Sequence, residues 1–271
     1  MQLVLSEDQE LLAKTASDFV AERSPVARVR KLRDAADPDG FSRALWKEMA
    51  GLGWVGIPFP EAVGGAGMGL AELAVVLEAL GRTLAPEPFL SCVLLAGRAL
   101  LLGGSEGQQR RELPPLVAGE KLFALAFQER RSRYDLHRVA TRAERVGGGF
   151  RLTGEKIQVM DGNAADAFLV SGRTAGAEDE RSGITLFLVP RAASGLAIVP
   201  QQRVDSRGAA LLTLAGVEVA ADAAVGAPDA GGALLETVVD GATVGLCAEM
   251  LGSMSEAFER TLTYLRQRVQ F

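Results

Sequence analysis

The sequence predicts a chain of mixed class: an all-α N-terminal domain, an antiparallel β-barrel or β-sandwich in the middle, and the start of a C-terminal helical bundle. Apolar residues recur at helical spacing to about residue 120, then fall into short runs bounded by Gly, Asp and Pro to about residue 220. The helical period returns from Gly231 onward. A length of 271 residues exceeds one ordinary core and suits two domains with part of a third, which places the boundaries at 1–121, 122–226 and 227–271.

Ser6-Glu7-Asp8-Gln9 carries a capping box, serine as N-cap with glutamine three residues on, ahead of Leu12, Ala16, Phe19 and Val20. Leu45, Met49 and Leu52 mark a second helix that ends at Gly53, and Leu70, Leu73, Val76, Leu77 and Leu80 a third that ends at Gly81. A further helix from Ser91 to Leu102 stops at Gly103-Gly104, and Ser105 caps a short helix expected to end before Pro114-Pro115. Strands are expected at Leu122–Phe127, Val139–Arg145, Phe150–Leu152, Phe168–Ser171, Ile184–Val189, Ala197–Pro200, Ala210–Leu214 and Val217–Val219. Gly147-Gly148-Gly149 suits a hairpin, because glycine tolerates the positive φ of tight turns. No helix-length period interrupts these runs, which favours a closed antiparallel arrangement over βαβ units.

From Gly231 the apolar positions Leu234, Leu235, Val238, Leu246, Met250, Met254, Phe258, Leu262 and Leu265 predict one long helix, still periodic at Phe271. A helix of about 40 residues is about 60 Å long. Such a rod needs partner helices, so the chain is expected to stop inside a bundle and to expose Leu246, Met250, Phe258, Leu262 and Leu265.

Composition excludes several functions. A formal charge of −5 with no basic stripe argues against a nucleic-acid partner. Cys92 and Cys247 are the only cysteines and lack ligand spacing, so a disulfide framework or zinc site is not expected. Glu7, Asp8 and Glu10 stand where a signal peptide carries positive charge, and the run from Val93 to Leu102 is too short to span a bilayer. A soluble, cytoplasmic protein with no membrane span and no metal is the expectation. His137 is the only histidine and reads as a surface residue, which removes His-based triads and multi-His metal sites by counting. Gly64-Gly65-Ala66-Gly67-Met68-Gly69 lacks a glycine at Leu70 for the dinucleotide register and follows no strand, so it reads as a helix-to-helix turn.

The order of helices, β-domain and long helix resembles the acyl-CoA dehydrogenase family, and local segments agree along the whole chain. These are Leu52-Gly53-Trp54-Val55-Gly56-Ile57-Pro58 with Pro60-Glu61, Pro115-Leu116-Val117-Ala118-Gly119-Glu120-Lys121, Gly154-Glu155-Lys156, Thr185-Leu186-Phe187-Leu188-Val189, and Tyr264, Arg268, Gln270 and Phe271 in a Y-x-x-x-R-x-Q-F pattern. The resemblance implies FAD-dependent α,β-desaturation of an acyl-CoA thioester. It assigns the flavin to Phe127, Gln128 and Glu129 with Gln158, Val159 and Met160, to Tyr134, and to Arg268, Gln270 and Phe271 acting across a subunit interface. It assigns the substrate side of the long helix to Asp240 and Thr243.

The sequence departs from the family at several of these positions. Gln158-Val159-Met160 replaces a usual Trp-Ile-Thr or Trp-Ile-Ser, although a backbone N–H at Met160 can still donate. Gln128 replaces a threonine, Tyr134 a serine and Thr243 an arginine, while Arg130, Arg131 and Arg133 crowd the loop near Tyr134. The catalytic base is expected beyond Phe271, because Ala242 occupies the one long-helix position where some members carry it. By the same resemblance the partners are an acyl-CoA substrate, an electron-transfer acceptor protein, and copies of the chain in a homodimer or homotetramer, or a related subunit in a heteromer. A non-catalytic partner subunit and a same-fold flavin oxidase or monooxygenase are the alternatives.

Overall fold

The computed structural model describes residues 4–132 and 134–270; Arg133 and Phe271, singled out above, fall outside them. The N-terminal region is helical: α1 (Glu7–Arg23), α2 (Val26–Asp34), α3 (Arg43–Gly51), α4 (Leu70–Arg82), a π-helix (Phe89–Gly97) that runs into α5 (Arg98–Gly103), and α6 (Glu106–Val117). The capping box forms: the Gln9 N–H donates to Ser6 Oγ at 3.3 Å and the Ser6 N–H to Gln9 Oε1 at 3.0 Å. α2 was not legible as a helix, since its sequence VARVRKLRD buries no residue.

Pro114 and Pro115 lie inside α6 and do not end it. The carbonyls they leave without a donor, those of Arg110 and Arg111, sit on exposed residues where water can serve them. Trp46 packs edge-on to Phe89 at 5.0 Å in the helical core. The glycine-rich segment before Leu70 joins a short 3-10 turn to α4, a helix-to-helix turn as its sequence suggests.

Among the described residues eight strands form one sheet: β1 (Phe123–Ala126), β2 (Arg142–Val146), β3 (Gly149–Met160), β4 (Ala167–Arg173), β5 (Ile184–Pro190), β6 (Leu196–Gln201), β7 (Ala209–Ala220) and β8 (Ala224–Val225). The order is β6-β7-β3-β2-β4-β5-β8, with β1 beside β4. The all-antiparallel strand direction expected from the sequence is corrected here. β1 pairs with β4 in parallel, as does β2 at Arg142, so the sheet is mixed, and among the described residues its end strands β6 and β8 do not pair. The alternating pattern reports which face of a strand is buried and carries nothing about its direction.

One expected short strand is part of a longer one, and two others are a single strand. Phe150–Leu152 lies in the twelve-residue β3, and the segments at 210–214 and 217–219 merge in β7, with a register shift opposite Leu152 and Thr153. Gly147, at φ +53°, makes the β2–β3 turn with Gly148.

α7 (Gly231–Gln267) has 37 residues, so the helix expected to run through Phe271 ends at Gln267, where the Arg268 N–H donates to the Tyr264 carbonyl at 2.9 Å. Its inner face is notched by glycines. A Cβ at Gly252 would lie 1.9 Å from the Glu78 carbonyl oxygen of α4, and one at Gly81 of α4 would lie 2.0 Å from the Glu249 carbonyl. The two backbones therefore touch. On the outer face Leu246, Met250, Phe258 and Leu265 are exposed as the spacing predicts, with Leu262 half-buried. No helix among the described residues is long and apolar enough to cross a membrane.

This packing makes the sign of a glycine substitution diagnostic. In an uncrowded helix Gly→Ala stabilises by about 1 kcal/mol. Gly252→Ala is instead expected to destabilise by about 1–3 kcal/mol through overpacking against α4, measured as urea unfolding, and a stabilised variant would refute the close contact.

Candidate functional site

The site begins where β1 leaves the sheet. Phe127, Gln128 and Glu129 continue past Ala126, and the Ile157 N–H of β3 donates to the Gln128 carbonyl at 2.9 Å. Ile157 is free to do so because the β3–β7 ladder breaks between Lys156 and Val159. At that break Gln158 takes φ +49°, and its N–H donates to Gln201 Oε1 at 2.9 Å.

Below this junction lies a buried ion pair. Lys156, with no exposed surface, places Nζ 2.6 Å from Glu129 Oε1 and 2.8 Å from Ser171 Oγ. Glu129 also accepts from the Ala140 N–H (2.7 Å), the Thr141 N–H (3.0 Å) and Thr141 Oγ1 (2.7 Å). Burial pushes the Glu129 carboxyl up, but the Lys156 charge and these hydrogen bonds together hold it below the ordinary glutamate range. Burial pulls Lys156 down to about 8 against the attraction of Glu129.

The fold thus brings Phe127 and Gln128 together with Gln158, Val159 and Met160. Gln128 is half-buried and Gln158 exposed, and neither side-chain amide has a hydrogen-bond partner among the described residues. Phe127 and Met160 pack against the helical core, whereas the Val159 side chain is buried in the sheet core, leaving its backbone as what it can offer a ligand. No hydrogen bond or ion pair among the described residues joins Tyr134, Asp240, Thr243, Arg268 or Gln270 to this group. Tyr134 is 96% exposed. The Thr243 hydroxyl donates back to the Val239 carbonyl, and the Arg268 guanidinium lies on the Tyr264 hydroxyl at the exposed end of α7.

Three features escaped the sequence reading. His137 is not an ordinary surface residue: its Nε2 is 2.7 Å from Glu236 Oε1 on α7, which ties the loop to the long helix. Arg173 is buried and donates to the carbonyls of His137, Val139, Glu178, Glu180 and Ser182. Asp161, next to Met160, accepts from Ser91 Oγ of the π-helix at 2.5 Å, and burial pushes its carboxyl up to about 6 despite that hydrogen bond and the nearby Arg207 and Arg203. The single histidine and the Asp161-Gly162 turn were visible in the sequence, but their partners lie 99 and 70 residues away.

Two free amides beside the apolar Phe127 and Met160 can both donate to and accept from the edge of a planar heterocycle. The described residues hold no cluster of three or more metal-ligating side chains. Residues 6–120 match the family model for the acyl-CoA dehydrogenase N-terminal domain, and residues 124–217 the one for the acyl-CoA dehydrogenase middle domain. Acyl-CoA dehydrogenase FadE27 of Mycobacterium tuberculosis is 33% identical over 85% of this chain, which spans 58% of that relative's length. Butyryl-CoA dehydrogenase from Megasphaera elsdenii superposes with a TM-score of 0.90 at 25% identity, covering 100% of this chain and 72% of that one. The ChsE4–ChsE5 complex from Mycobacterium tuberculosis does so with 0.87 at 30% identity, covering 100% and 70%.

Lys156→Met leaves Glu129 buried beside no cation, and a loss of about 3–5 kcal/mol is expected in chemical unfolding at pH 7. The folded Glu129 value is depressed, so the stability it lends is complete above its ordinary value of 4.5 and is lost as pH falls through the folded value. In Lys156→Met burial no longer meets an opposing cation and raises the folded Glu129 value, so the variant is expected to recover stability relative to the parent as pH falls through that value; an acid profile parallel to the parent's would show that the pair does not set it.

Proposed function

This chain belongs to the acyl-CoA dehydrogenase family, and on that premise we propose that it contributes the flavin-binding β-domain of an FAD-dependent oxidoreductase that desaturates an acyl-CoA thioester at the α,β position. The observation that carries this reading is the junction of Gln128 with Gln158 over the Lys156–Glu129 pair, since the two segments assigned to the flavin by resemblance lie hydrogen-bonded side by side.

The residues present fit the ring of the cofactor better than its diphosphate. Gln128 and Gln158 would hold the polar edge of the isoalloxazine through amides that have no other partner, and Phe127 and Met160 would exclude water from its face. Tyr134, turned to solvent, repeats no serine contact, and Arg268 would reach a diphosphate only across a subunit interface. When bound, the flavin supplies the acceptor for the β-hydride. The Lys156–Glu129 pair fixes the two segments at one spacing, and Asp161 with Ser91 fixes the turn after Met160 to the π-helix. Ala242 brings no carboxylate to α7, and Glu249 is held by Arg207, so neither takes the α-proton.

The exposed apolar face of α7 supports a second reading, a partner subunit in a heteromeric dehydrogenase, consistent with a relative solved as a complex of two named chains. In both readings the long helix is the assembly surface, and electrons leave to an acceptor protein.

The test is FAD titration of the purified chain by flavin fluorescence, followed by dye reduction with butyryl-CoA. Weak FAD binding is expected, reduced further in Gln128→Ala/Gln158→Ala. Turnover should be absent or lowered by about 10²–10⁴ for want of a base. FAD affinity unchanged in the double variant would remove the flavin assignment, and full turnover would remove the assignment of the base elsewhere.

A further inference from the structure

Burying a guanidinium is costly unless something takes its hydrogen bonds, so an arginine withdrawn from water without a partner marks a group kept for another purpose. The described arginines that are buried or half-buried are Arg28, Arg82, Arg98, Arg173, Arg203 and Arg207. Arg28 pairs with Glu87, Arg82 with Glu256 and Glu259, Arg203 with Asp205, Arg207 with Glu249, and Arg173 with backbone carbonyls. Arg98 alone among them has no hydrogen bond and no carboxylate within 4.0 Å among the described residues. Its Nε is buried and unpartnered, while both Nη groups, equally unpartnered, keep access to the outside.

The position is built. Arg98 opens α5 at the end of the π-helix and lies across α7 at Gly241, where a Cβ would stand 2.9 Å from its Nε and 3.0 Å from its Cζ. Any other residue at 241 would lift the guanidinium off the helix. The neighbours of Gly241 on α7 are Asp240 and Ala242, with Thr243 one residue further, in the stretch where the resemblance puts the substrate and where Thr243 stands in place of an arginine.

We propose that Arg98 is a ligand-anchoring residue: from α5 it supplies the cationic fork that α7 lacks at Thr243, and its free Nη groups take the two oxygens of an oxyanion group, a carboxylate or a phosphate, carried by the bound thioester. The inference rests on the acyl-CoA reading above. A planar guanidinium matches a two-oxygen acceptor bidentately, which a lysine ammonium does not, and it stays charged at any working pH. The Gly241 notch presets its plane before the ligand arrives, so little side-chain freedom remains to be lost on binding.

The experiment is calorimetric titration of the purified protein, and of Arg98→Gln and Arg98→Lys, with coenzyme A, butyryl-CoA, succinyl-CoA, inorganic phosphate and succinate, alongside thermal unfolding without ligand. Arg98→Gln is expected to weaken binding by about tenfold or more, with Arg98→Lys also weakened and neither variant melting below the parent. Equal losses for all three coenzyme A compounds assign the oxyanion to a phosphate; a loss confined to succinyl-CoA assigns it to an acyl carboxylate. Unchanged affinity of Arg98→Gln for every probe overturns the proposal. So does a lowered melting temperature in Arg98→Gln combined with parental affinity in Arg98→Lys, which is the signature of a packing role. If the parent binds none of the coenzyme A compounds, the acyl-CoA reading fails; Arg98-dependent binding of phosphate or succinate would then leave the anion site standing, and its absence would remove both.

Discussion

A buried ammonium facing a buried carboxylate sets the geometry on which the candidate site depends. Lys156 and Glu129 are 27 residues apart in sequence and meet at 2.6 Å with almost no solvent. Neither could be withdrawn from water alone, so the ends of β1 and β3 must close on each other for either strand to be buried. Ser171 of β4 and the backbone at Ala140 and Thr141 complete the shell around the pair, which recruits the loop between β1 and β2 as well. Arg173 then gathers five carbonyls of neighbouring segments into the same layer. The side chains assigned to the flavin do little of this holding. Gln128 and Gln158 keep side-chain amides without a partner among the described residues.

The long helix carries a second constraint of a different kind. Its inner face approaches α4 at backbone distance because Gly81 and Gly252 remove the side chains that would separate the two helices, and Ser253 Oγ reinforces the contact by donating to the Gly81 carbonyl at 2.9 Å. Its outer face keeps Leu246, Met250, Met254, Phe258 and Leu265 in solvent. Small residues inside and large apolar residues outside are the reverse of a surface helix on one core. Arg207, which reaches Glu249, and His137, which reaches Glu236, tie the β-region to the same helix. The exposed outer face therefore belongs to an element already coupled to the sheet.

Much of this was legible in the sequence. Ser6 and Gln9, the Gly147-Gly148 turn and the apolar spacing of α4 and α7 act within a few residues, where local chemistry and periodicity agree with the final fold. The assignment of 127–128 and 158–160 to one place came from resemblance, and the hydrogen bond between Ile157 and Gln128 gives it a physical form. Reading failed where a residue's state depends on a distant one. α2 lacks a buried face, Pro114 and Pro115 stay helical because the carbonyls they strand are wetted, and β1 lies parallel to β4 because strand direction leaves no trace in an alternating pattern.

By itself, then, the sequence determined the succession of helices, strands and long helix, the faces those elements bury, and the family motifs they carry. Spacing along the chain is sufficient for each of these. Only the tertiary structure decided that the sheet is mixed, that His137 belongs to α7, that Asp161 answers Ser91, and that Arg98 lies unpartnered over Gly241. The reason is common to all four: the cost of burying a charge or a polar group is set by what stands within hydrogen-bond reach, and that neighbour is chosen by the fold rather than by adjacency in sequence.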